Sequence, residues 1–193
     1  AHERGMKIIL DGVFSHVGSR SPYFQSAAAS PDSPYHDWFQ WKHWPDDYES
    51  WWGIKTLPCV DKRNGDYIRF IIEDDDSVVA KWLRLGADGF RLDVVDELPD
   101  EFVARLRRRV REINPEAIVI GEVWEDASNK IAYGVRRRYF TGCQLDSVMN
   151  YPWQKAILSY VRGDGDGGAL GESIRTLAEN YPPDVLNAVM NIL

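Results

Sequence analysis

Two apolar segments of the chain, residues 89–93 and 117–122, end in the carboxylates Asp93 and Glu122. A segment with helical periodicity precedes each one, as expected of parallel strands in a β/α barrel. The carboxyl ends of such strands share one face, so the two side chains are expected to lie near each other. Such a pair suits cleavage of a glycosidic bond, in which one carboxylate attacks the sugar carbon and the other protonates the leaving oxygen.

The surroundings of the two carboxylates predict different protonation states. Arg91 lies two positions before Asp93, so both side chains point to one face of a strand. A neighbouring cation favours the ionised form of a carboxylate, which a nucleophile needs. Glu122 ends an apolar strand, where partial burial is expected to raise its pKa and hold a proton near neutral pH. A structural interpretation stays open, in which Asp93 caps a helix and Glu122 pairs with an arginine.

Two other groups of residues could contribute to a polar site. Asp11 and His16 follow the first predicted strand, where they could organise the site by hydrogen bonds or, with weaker support, bind a metal. Aromatic residues crowd the segment 38–52, and their flat faces either stack on pyranose rings or fill a core. At least one is expected to line a sugar subsite. The tryptophans in this segment are Trp38, Trp41, Trp44, Trp51 and Trp52.

The pattern of apolar residues predicts an α/β fold with four or five parallel strands, fewer than the eight of a closed barrel. Residues 12 to about 70 lack periodicity and are too long for a plain loop, so they should form a functional excursion. The predicted strands are 7–11 (buried), 89–93, 117–122 and 144–148. The predicted helices are 76–85, 99–113, 129–139, 151–161 and 171–180.

Composition excludes several classes of protein. The net charge of −7 and the pI of about 5.1 disfavour a nucleic-acid binder, so the arginine runs 107–109 and 136–138 are interpreted as solvated helix faces. No apolar run is long enough to cross a membrane. Cys59 and Cys143 have no metal-type spacing, and no disulfide framework is expected. The first residues, from Ala1, resemble the interior of a helix, so the chain is expected to be part of a longer protein.

Four segments in order, residues 11–16, 57–61, 89–93 and 121–124, resemble the signatures of the alpha-amylase family of glycoside hydrolases (family 13). The resemblance is strongest to its neopullulanase, cyclomaltodextrinase and maltogenic amylase branch. It implies a partial TIM (β/α)8 barrel, about strands three to seven, spanning 1–193 as part of the catalytic domain A. Residues 17–70 would be the B subdomain inserted after the third strand, and the N-terminal and C-terminal parts of the parent protein would lie outside the sequence.

The resemblance also implies roles for individual residues. Asp93 would be the nucleophile that forms a covalent glycosyl-enzyme, and Glu122 the general acid and then the base for water. Their carboxyl groups would lie roughly 5–5.5 Å apart. The substrate would be an α-1,4-linked glucan, or in the alternative an α-1,6-linked one, such as maltooligosaccharides, cyclodextrin, pullulan or starch. The substrate-binding residues implied are Asp11, His16, Arg91, Glu97 and Trp124.

Some positions depart from the family pattern. Ser15 stands where classical amylases have an Asn that helps bind calcium, so no cofactor is required and calcium has weak support. Asp96 stands where the branch usually has Asn, which leaves the substrate preference open. The family's third acid normally follows a segment like 189–193 and is expected beyond Leu193. The chain alone is therefore expected to be inactive and unstable.

Two alternative functions remain. One is a non-catalytic, amylase-like scaffold or interaction protein, and the other is a metal-dependent barrel hydrolase that uses Asp11, His16 and Asp93. The expected partner is an α-glucan, without nucleic acid or membrane, and the parent protein is expected to form a homodimer as others of the branch do. A bacterial cytoplasmic location is expected from the branch and from the sparse cysteines.

Overall fold

The computed structural model describes residues 1–192, so Leu193, the last residue of the segment 189–193, lies outside the description. In chain order the elements are β1 (Ile9–Gly12), α1 (Pro22–Ala29), β2 (Trp41–His43), β3 (Asp47–Tyr48), α2 (Gly65–Ile68), α3 (Val78–Arg84), β4 (Gly89–Leu92), α4 (Asp100–Ile113), β5 (Ile118–Gly121), β6 (Ile131–Ala132), β7 (Val135–Arg136), β8 (Ser147–Val148), α5 (Tyr151–Arg162), α6 (Gly167–Asn180) and α7 (Pro183–Asn187).

The main sheet has the order β1-β4-β5-β8, and all its neighbours pair in parallel. Beyond β8, Met149 pairs with Met190 in a single parallel bridge, so the chain re-enters the sheet there. The α/β fold with parallel strands is therefore confirmed. One expectation was wrong: β1 lies at the edge of the sheet, and Ile9 is 37% exposed rather than buried.

Helices α3 and α4 cover one side of the sheet, and sequence periodicity predicts both. Ser77 caps α3 by accepting a hydrogen bond from the backbone N–H of Ala80. Helix α4 follows Pro99 and buries one apolar face, because its apolar residues recur every three or four positions. The buried residues of α4 are Phe102, Val103, Leu106 and Val110. Helices α5 and α6 are also confirmed, and α6 begins at Gly167, four residues earlier than predicted.

A largely buried carboxylate, 11% exposed, joins helix α4 to the sheet. Asp146 Oδ1 accepts hydrogen bonds from Arg107 and Arg111, each at 2.7 Å, and Oδ2 accepts one from the backbone N–H of Val119 at 2.8 Å. Burial alone would raise the pKa of Asp146, but these three donors outweigh it and lower the pKa. Arg107 is thus an internal cross-link and not part of a solvated face, whereas Arg108 is exposed as expected.

Close packing of β4 against β5 requires glycine at one position. A Cβ atom at Gly89 would collide with the backbone carbonyl oxygen of Ile118 on the neighbouring strand. Backbone atoms within a paired strand cannot move aside as a side chain can, so any side chain at Gly89 would disturb the pairing that places Asp93 and Glu122 side by side.

The insertion after β1 forms its own aromatic core. Trp38 and Phe39 are almost fully buried, and Phe24 stacks on Trp41 with ring centroids 5.6 Å apart. The insertion returns to β1 through residues 57–61, where the N–H of Val60 donates to the carbonyl of Ser15. Trp38 and Trp41 therefore pack inside this core, whereas the neighbouring tryptophans Trp51 and Trp52 lie outside it.

The predicted helix over residues 129–139 is wrong, because this segment forms the hairpin β6–β7. Tyr133 and Gly134 occupy its turn with φ of 52° and 74°, a left-handed pair typical of tight hairpins. Arg137, which follows the hairpin, was interpreted as solvated and is in fact buried. Within residues 1–192 no helix combines the length and apolar character that a bilayer crossing requires.

Candidate active site

One guanidinium group joins three carboxylates at the carboxyl end of the sheet. Arg91, on β4, reaches Asp11 Oδ1 at 2.7 Å and Asp93 Oδ1 at 2.8 Å through Nη1. Its Nη2 lies 2.8 Å from Glu122 Oε2. Its Nε donates to the sulfur of Met149 at 3.3 Å. The adjacent strand ends therefore bring Asp93 and Glu122 together, as the strand pattern predicts, and both carboxylates pair with the Arg91 guanidinium.

Glu122 is the most enclosed of the three carboxylates, with 8% of its side chain exposed. Oε1 accepts hydrogen bonds from the indole of Trp124 and the hydroxyl of Tyr151, each at 3.0 Å. Oε2 accepts one from the backbone N–H of Val94 at 2.8 Å and faces Arg91. These four donors stabilise the ionised form of the Glu122 carboxylate.

The expected rise in the pKa of Glu122 was therefore wrong. Burial does act to raise this pKa, but the hydrogen bonds from Trp124 and Val94, the charge of Arg91 and the hydroxyl of Tyr151 outweigh it and lower the pKa. The free site therefore favours the carboxylate form of Glu122. The pairing of Glu122 with an arginine, which was the structural interpretation, is also present in this arrangement.

Backbone strain accompanies the hydrogen bond from Val94. Val94 adopts φ 37° and ψ 57°, a left-handed conformation that is uncommon for a β-branched residue. This conformation turns the chain sharply after Asp93 and aims the Val94 N–H at Glu122. Strained residues of this type cluster at functional sites, where the surrounding structure holds them.

A buried arginine holds the turn that follows Val94. Arg137 donates to the backbone carbonyls of Asp96 at 2.5 Å and Leu98 at 2.8 Å. It also donates to the Asp100 carboxylate at 2.7 Å. These contacts fasten the short 3-10 turn Val95–Glu97 onto the start of α4. The position of Glu97 therefore depends on a residue distant in sequence.

His16 is buried beside the carboxylate cluster. Its Nδ1 shares a hydrogen bond of 2.8 Å with the hydroxyl of Ser15, and its ring stacks on Trp51 with centroids 5.5 Å apart. Burial lowers its pKa, against the opposing charges of Asp93 and Glu97. His16 is therefore mainly neutral at pH 7, when one ring nitrogen donates a hydrogen bond and the other accepts one.

A cavity of about 260 Å³ opens next to Glu122. Three indoles form one side of it: Trp51 stacks on Trp52 at 4.8 Å, and Trp52 meets Trp124 edge-on at 5.8 Å. Trp52 and Trp124 are 66% and 46% exposed, so much of each ring is accessible to a ligand. Flat, exposed aromatic faces beside a carboxylate suit the apolar faces of sugar rings.

The hairpin β6–β7 forms the opposite side of this cavity. The hydroxyl of Tyr133 donates to Glu97 Oε1, and Lys130 lies 3.1 Å from Asp96 and also contacts Glu125. Glu97 thus lines the cavity, and its carboxylate is already engaged by the hairpin. Asp96 is engaged as well, by Lys130 and by the hydroxyl of Tyr139.

The residues around Ser15 do not fit a calcium ion. Calcium takes six to eight oxygen ligands, usually with several carboxylates. The buried hydroxyl of Ser15 is paired with His16, and no group of three His, Cys, Asp or Glu residues within 1–192 is arranged to hold a metal. The alternative metal site at Asp11 and Asp93 has no support either, because the guanidinium of Arg91 bridges these two carboxylates.

Several site residues were missed by sequence reasoning. Met149 directly follows β8, as Asp93 follows β4, and Tyr151 comes two residues later, so the strand-end rule could have identified both. Val94 contributes only its N–H, and a backbone donor leaves no signal in residue type. Tyr133 reaches the site through the hairpin that the sequence pattern misidentified as a helix.

Comparison with known proteins agrees with this geometry. Residues 1–180 match the family described as the alpha amylase catalytic domain. The chain belongs to the alpha-amylase family. Its relatives include an amylopullulanase from Thermoanaerobacterium saccharolyticum, 32% identical over 230 residues that cover 100% of this chain and 17% of the relative. Neopullulanase 2 from Thermoactinomyces vulgaris is 30% identical over 202 residues that cover 100% of this chain and 32% of that protein.

Solved structures of similar proteins share the fold. The ligand-free cyclic alpha-maltosyl-(1→6)-maltose hydrolase from Arthrobacter globiformis superposes with a TM-score of 0.86 at 25% identity, over 98% of this chain and 42% of that one. An acarbose-soaked debranching enzyme from Nostoc punctiforme gives a TM-score of 0.82 at 28% identity, over 98% of this chain and 44% of that one. The chain therefore spans less than half the length of these relatives, as a partial barrel.

Proposed function

We propose that the protein carrying this chain is a retaining α-glycoside hydrolase that acts on α-glucans. The observation that carries the proposal is the pairing of Asp93 and Glu122 with a single guanidinium at adjacent strand ends. Two carboxylates that approach one cation from neighbouring strands are close enough to act on one glycosidic bond, and a close pair is the arrangement of retaining enzymes.

In the proposed mechanism Asp93 attacks the anomeric carbon while Glu122 gives its proton to the leaving oxygen. A covalent glycosyl-enzyme on Asp93 results, and Glu122 then takes a proton from the water that hydrolyses it. Arg91 keeps the Asp93 carboxylate oriented for attack, with Asp11 as its second support. His16 would donate a hydrogen bond to the sugar from its buried position beside this pair.

The cavity beside Glu122 supports an extended glucan as the substrate. Trp52 and Trp124 offer exposed aromatic rings in the cavity beside the proposed acid, where a neighbouring glucose unit would stack. The relatives are named amylopullulanase, neopullulanase and cyclomaltodextrinase, which supports the same substrate class. Maltooligosaccharides, cyclodextrin, pullulan and starch are the substrates to compare.

The lowered pKa of Glu122 has a consequence for pH dependence. A general acid must be protonated when the substrate binds, and the free site favours its ionised form. The rate constant kcat/KM, which reports groups of the free enzyme, is therefore expected to fall with rising pH as Glu122 loses its proton. This favours an acid-shifted activity profile.

The proposed location is the bacterial cytoplasm, as a soluble protein. Its support is a relative named intracellular maltogenic amylase from Bacillus subtilis (strain 168), 30% identical over 164 residues that cover 82% of this chain and 26% of that protein. Fractionation of the native host tests this, because activity confined to the medium or the envelope would contradict it.

The test of the proposed function uses the full-length protein and four substrates: maltotetraose, cyclodextrin, pullulan and soluble starch. Asp93→Asn and Glu122→Gln are each expected to lower kcat/KM by at least about 100-fold. Asp32→Asn is the matched control, because Asp32 is an exposed carboxylate in the insertion. Absence of activity on all four substrates would instead favour the non-catalytic scaffold, as would activity that both variants retain.

A further inference from the structure

Helix α5 brings one tyrosine hydroxyl onto the proposed acid/base carboxylate. Tyr151 is the first residue of α5, immediately after the Asn150 cap, and Asn150 is anchored to the chain at Met190 by its N–H. This anchoring places the Tyr151 hydroxyl 3.0 Å from Glu122 Oε1. The contact joins two residues 29 positions apart, and the proposed mechanism does not yet use it.

The four partners of Glu122 differ in what they can do. The guanidinium of Arg91, the N–H of Val94 and the indole of Trp124 can only donate hydrogen bonds. A hydroxyl can donate or accept. Tyr151 is therefore the one partner of the four that can pair with Glu122 both as a carboxylate and as a protonated acid.

The two oxygens of Glu122 are consequently unequal. Oε2 faces two groups that can only donate, Arg91 and the N–H of Val94. A proton on Oε2 would therefore point at other N–H hydrogens and would have no acceptor among them. Oε1 faces Trp124 and Tyr151, and rotation of the Tyr151 hydroxyl would convert it into an acceptor for a proton on Oε1. The geometry therefore favours Oε1 as the oxygen that carries the transferable proton.

We propose that Tyr151 is a positioning residue that follows the protonation state of Glu122, donating to the carboxylate and accepting from the acid. In each cycle the proton on Oε1 passes to the glycosidic oxygen, Glu122 becomes a carboxylate, and the Tyr151 hydroxyl rotates to donate. Tyr151 keeps its own proton throughout, because burial and the neighbouring Glu122 raise its pKa. This inference rests on the proposed role of Glu122 as acid/base.

The sign of the effect follows from the strengths of the two hydrogen bonds. A hydrogen bond to an ionised carboxylate is roughly twice as strong as one between neutral groups. Removing the hydroxyl therefore destabilises the ionised form of Glu122 more than the protonated form, and Glu122 keeps its proton to higher pH.

The other charged groups around Glu122 are retained when Tyr151 is changed, although Arg91 also interacts with the Tyr151 hydroxyl. They come from β1, from β4 and its following turn, from the segment after β5, and from the β6–β7 hairpin. These groups are Asp11, Arg91, Asp93, Asp96, Glu97, Glu125 and Lys130. A shift in the titration of Glu122 on removing the hydroxyl alone is therefore assigned to the contacts of that hydroxyl, chiefly its hydrogen bond to Glu122 Oε1.

The experiment compares Tyr151→Phe with the wild-type full-length protein in the pH dependence of kcat/KM on maltotetraose. The alkaline limb is expected to move to higher pH, and kcat at the optimum is expected to fall less than the roughly 100-fold loss of a general acid. Tyr160→Phe is the matched control on the same helix, because Tyr160 is 50% exposed. An alkaline limb that stays in place or moves to lower pH would overturn the inference, even if kcat falls.

A second readout is independent of turnover. Infrared difference spectra follow the carboxyl of Glu122 through a pH titration, with the band assigned by its loss in Glu122→Gln. Tyr151→Phe is expected to shift this titration to higher pH, and an unshifted titration would overturn the inference. Absence of glucan hydrolysis in the wild-type protein would instead refute the proposed function, so the two failures are distinguishable.

Discussion

Replacing Arg137 by Met is expected to destabilise the domain although Arg137 touches no proposed catalytic group. Only 6% of the Arg137 side chain is exposed, and it donates to the carbonyls of Asp96 and Leu98 and to the carboxylate of Asp100. Met retains a comparable apolar stem, so the change removes mainly the donors. The expected loss is therefore one of hydrogen bonding and not of packing.

The size of the expected loss in stability depends on which partners of Arg137 can be hydrated once the guanidinium is removed. Leu98 is 1% exposed and Asp96 is half-buried. Removing the guanidinium leaves the backbone carbonyl oxygens of these two residues without a donor, at a cost of about 1–3 kcal/mol each. The Asp100 carboxylate is 32% exposed, so it can be hydrated and adds little. The free energy of unfolding should fall by about 2–6 kcal/mol, in the range found when one partner of a buried pair is removed.

The assay is urea unfolding of the full-length protein, followed by tryptophan fluorescence. Arg136→Met is the matched control, because Arg136 is the exposed neighbour on β7 and a surface change should stay within about 0.5 kcal/mol. Equal losses in the two variants would refute the reasoning. A loss below about 1 kcal/mol in Arg137→Met would refute it as well.

Three other predictions follow from single features of the structure. Gly89→Ala should prevent normal pairing of β4 with β5 and lower the urea midpoint, whereas Gly18→Ala, with open space around it, should not; equal midpoints would contradict the packing argument. Trp52→Ala should raise KM for maltooligosaccharides with little change in stability, whereas Trp44→Ala, outside the cavity lining, should leave KM unchanged. The pKa of Asp146 is lowered in the folded state, so ionised Asp146 stabilises the fold above its unfolded pKa and this stabilisation is lost as pH falls. Asp146→Asn should therefore weaken the fall of the urea midpoint at acid pH.

The sequence predicts the parts of the fold that depend on local periodicity. Helix α4 has a regular apolar face and a proline before its first turn, and its predicted bounds agree with the structure. The strand ends carrying Asp93 and Glu122 are predicted for the same reason. The sequence does not predict the hairpin β6–β7. Its strands have only two residues each, and its conformation depends on the left-handed turn at Tyr133 and Gly134.

The electrostatics of the site could not be predicted, because they depend on partners that are distant in sequence. Burial alone would raise the pKa of Glu122. The direction is reversed by four donors, of which only Trp124 is near in sequence, whereas Arg91, Val94 and Tyr151 lie about 30 residues away. Arg137 belongs to a charged triplet that is typical of a solvated surface, yet its partners lie about 40 residues earlier. In both cases the local pattern carries no information on which groups fold against it.

The measurement that most directly tests the central claim is covalent labelling of the full-length protein with a 5-fluoro-α-glucosyl fluoride. This reagent forms the glycosyl-enzyme faster than water removes it, so the nucleophile stays modified. Peptide mass spectrometry after proteolysis is expected to locate the sugar on Asp93, and Asp93→Asn is expected to remain unlabelled. Labelling of a different carboxylate would contradict the account, as would turnover of an α-glucan without any covalent adduct.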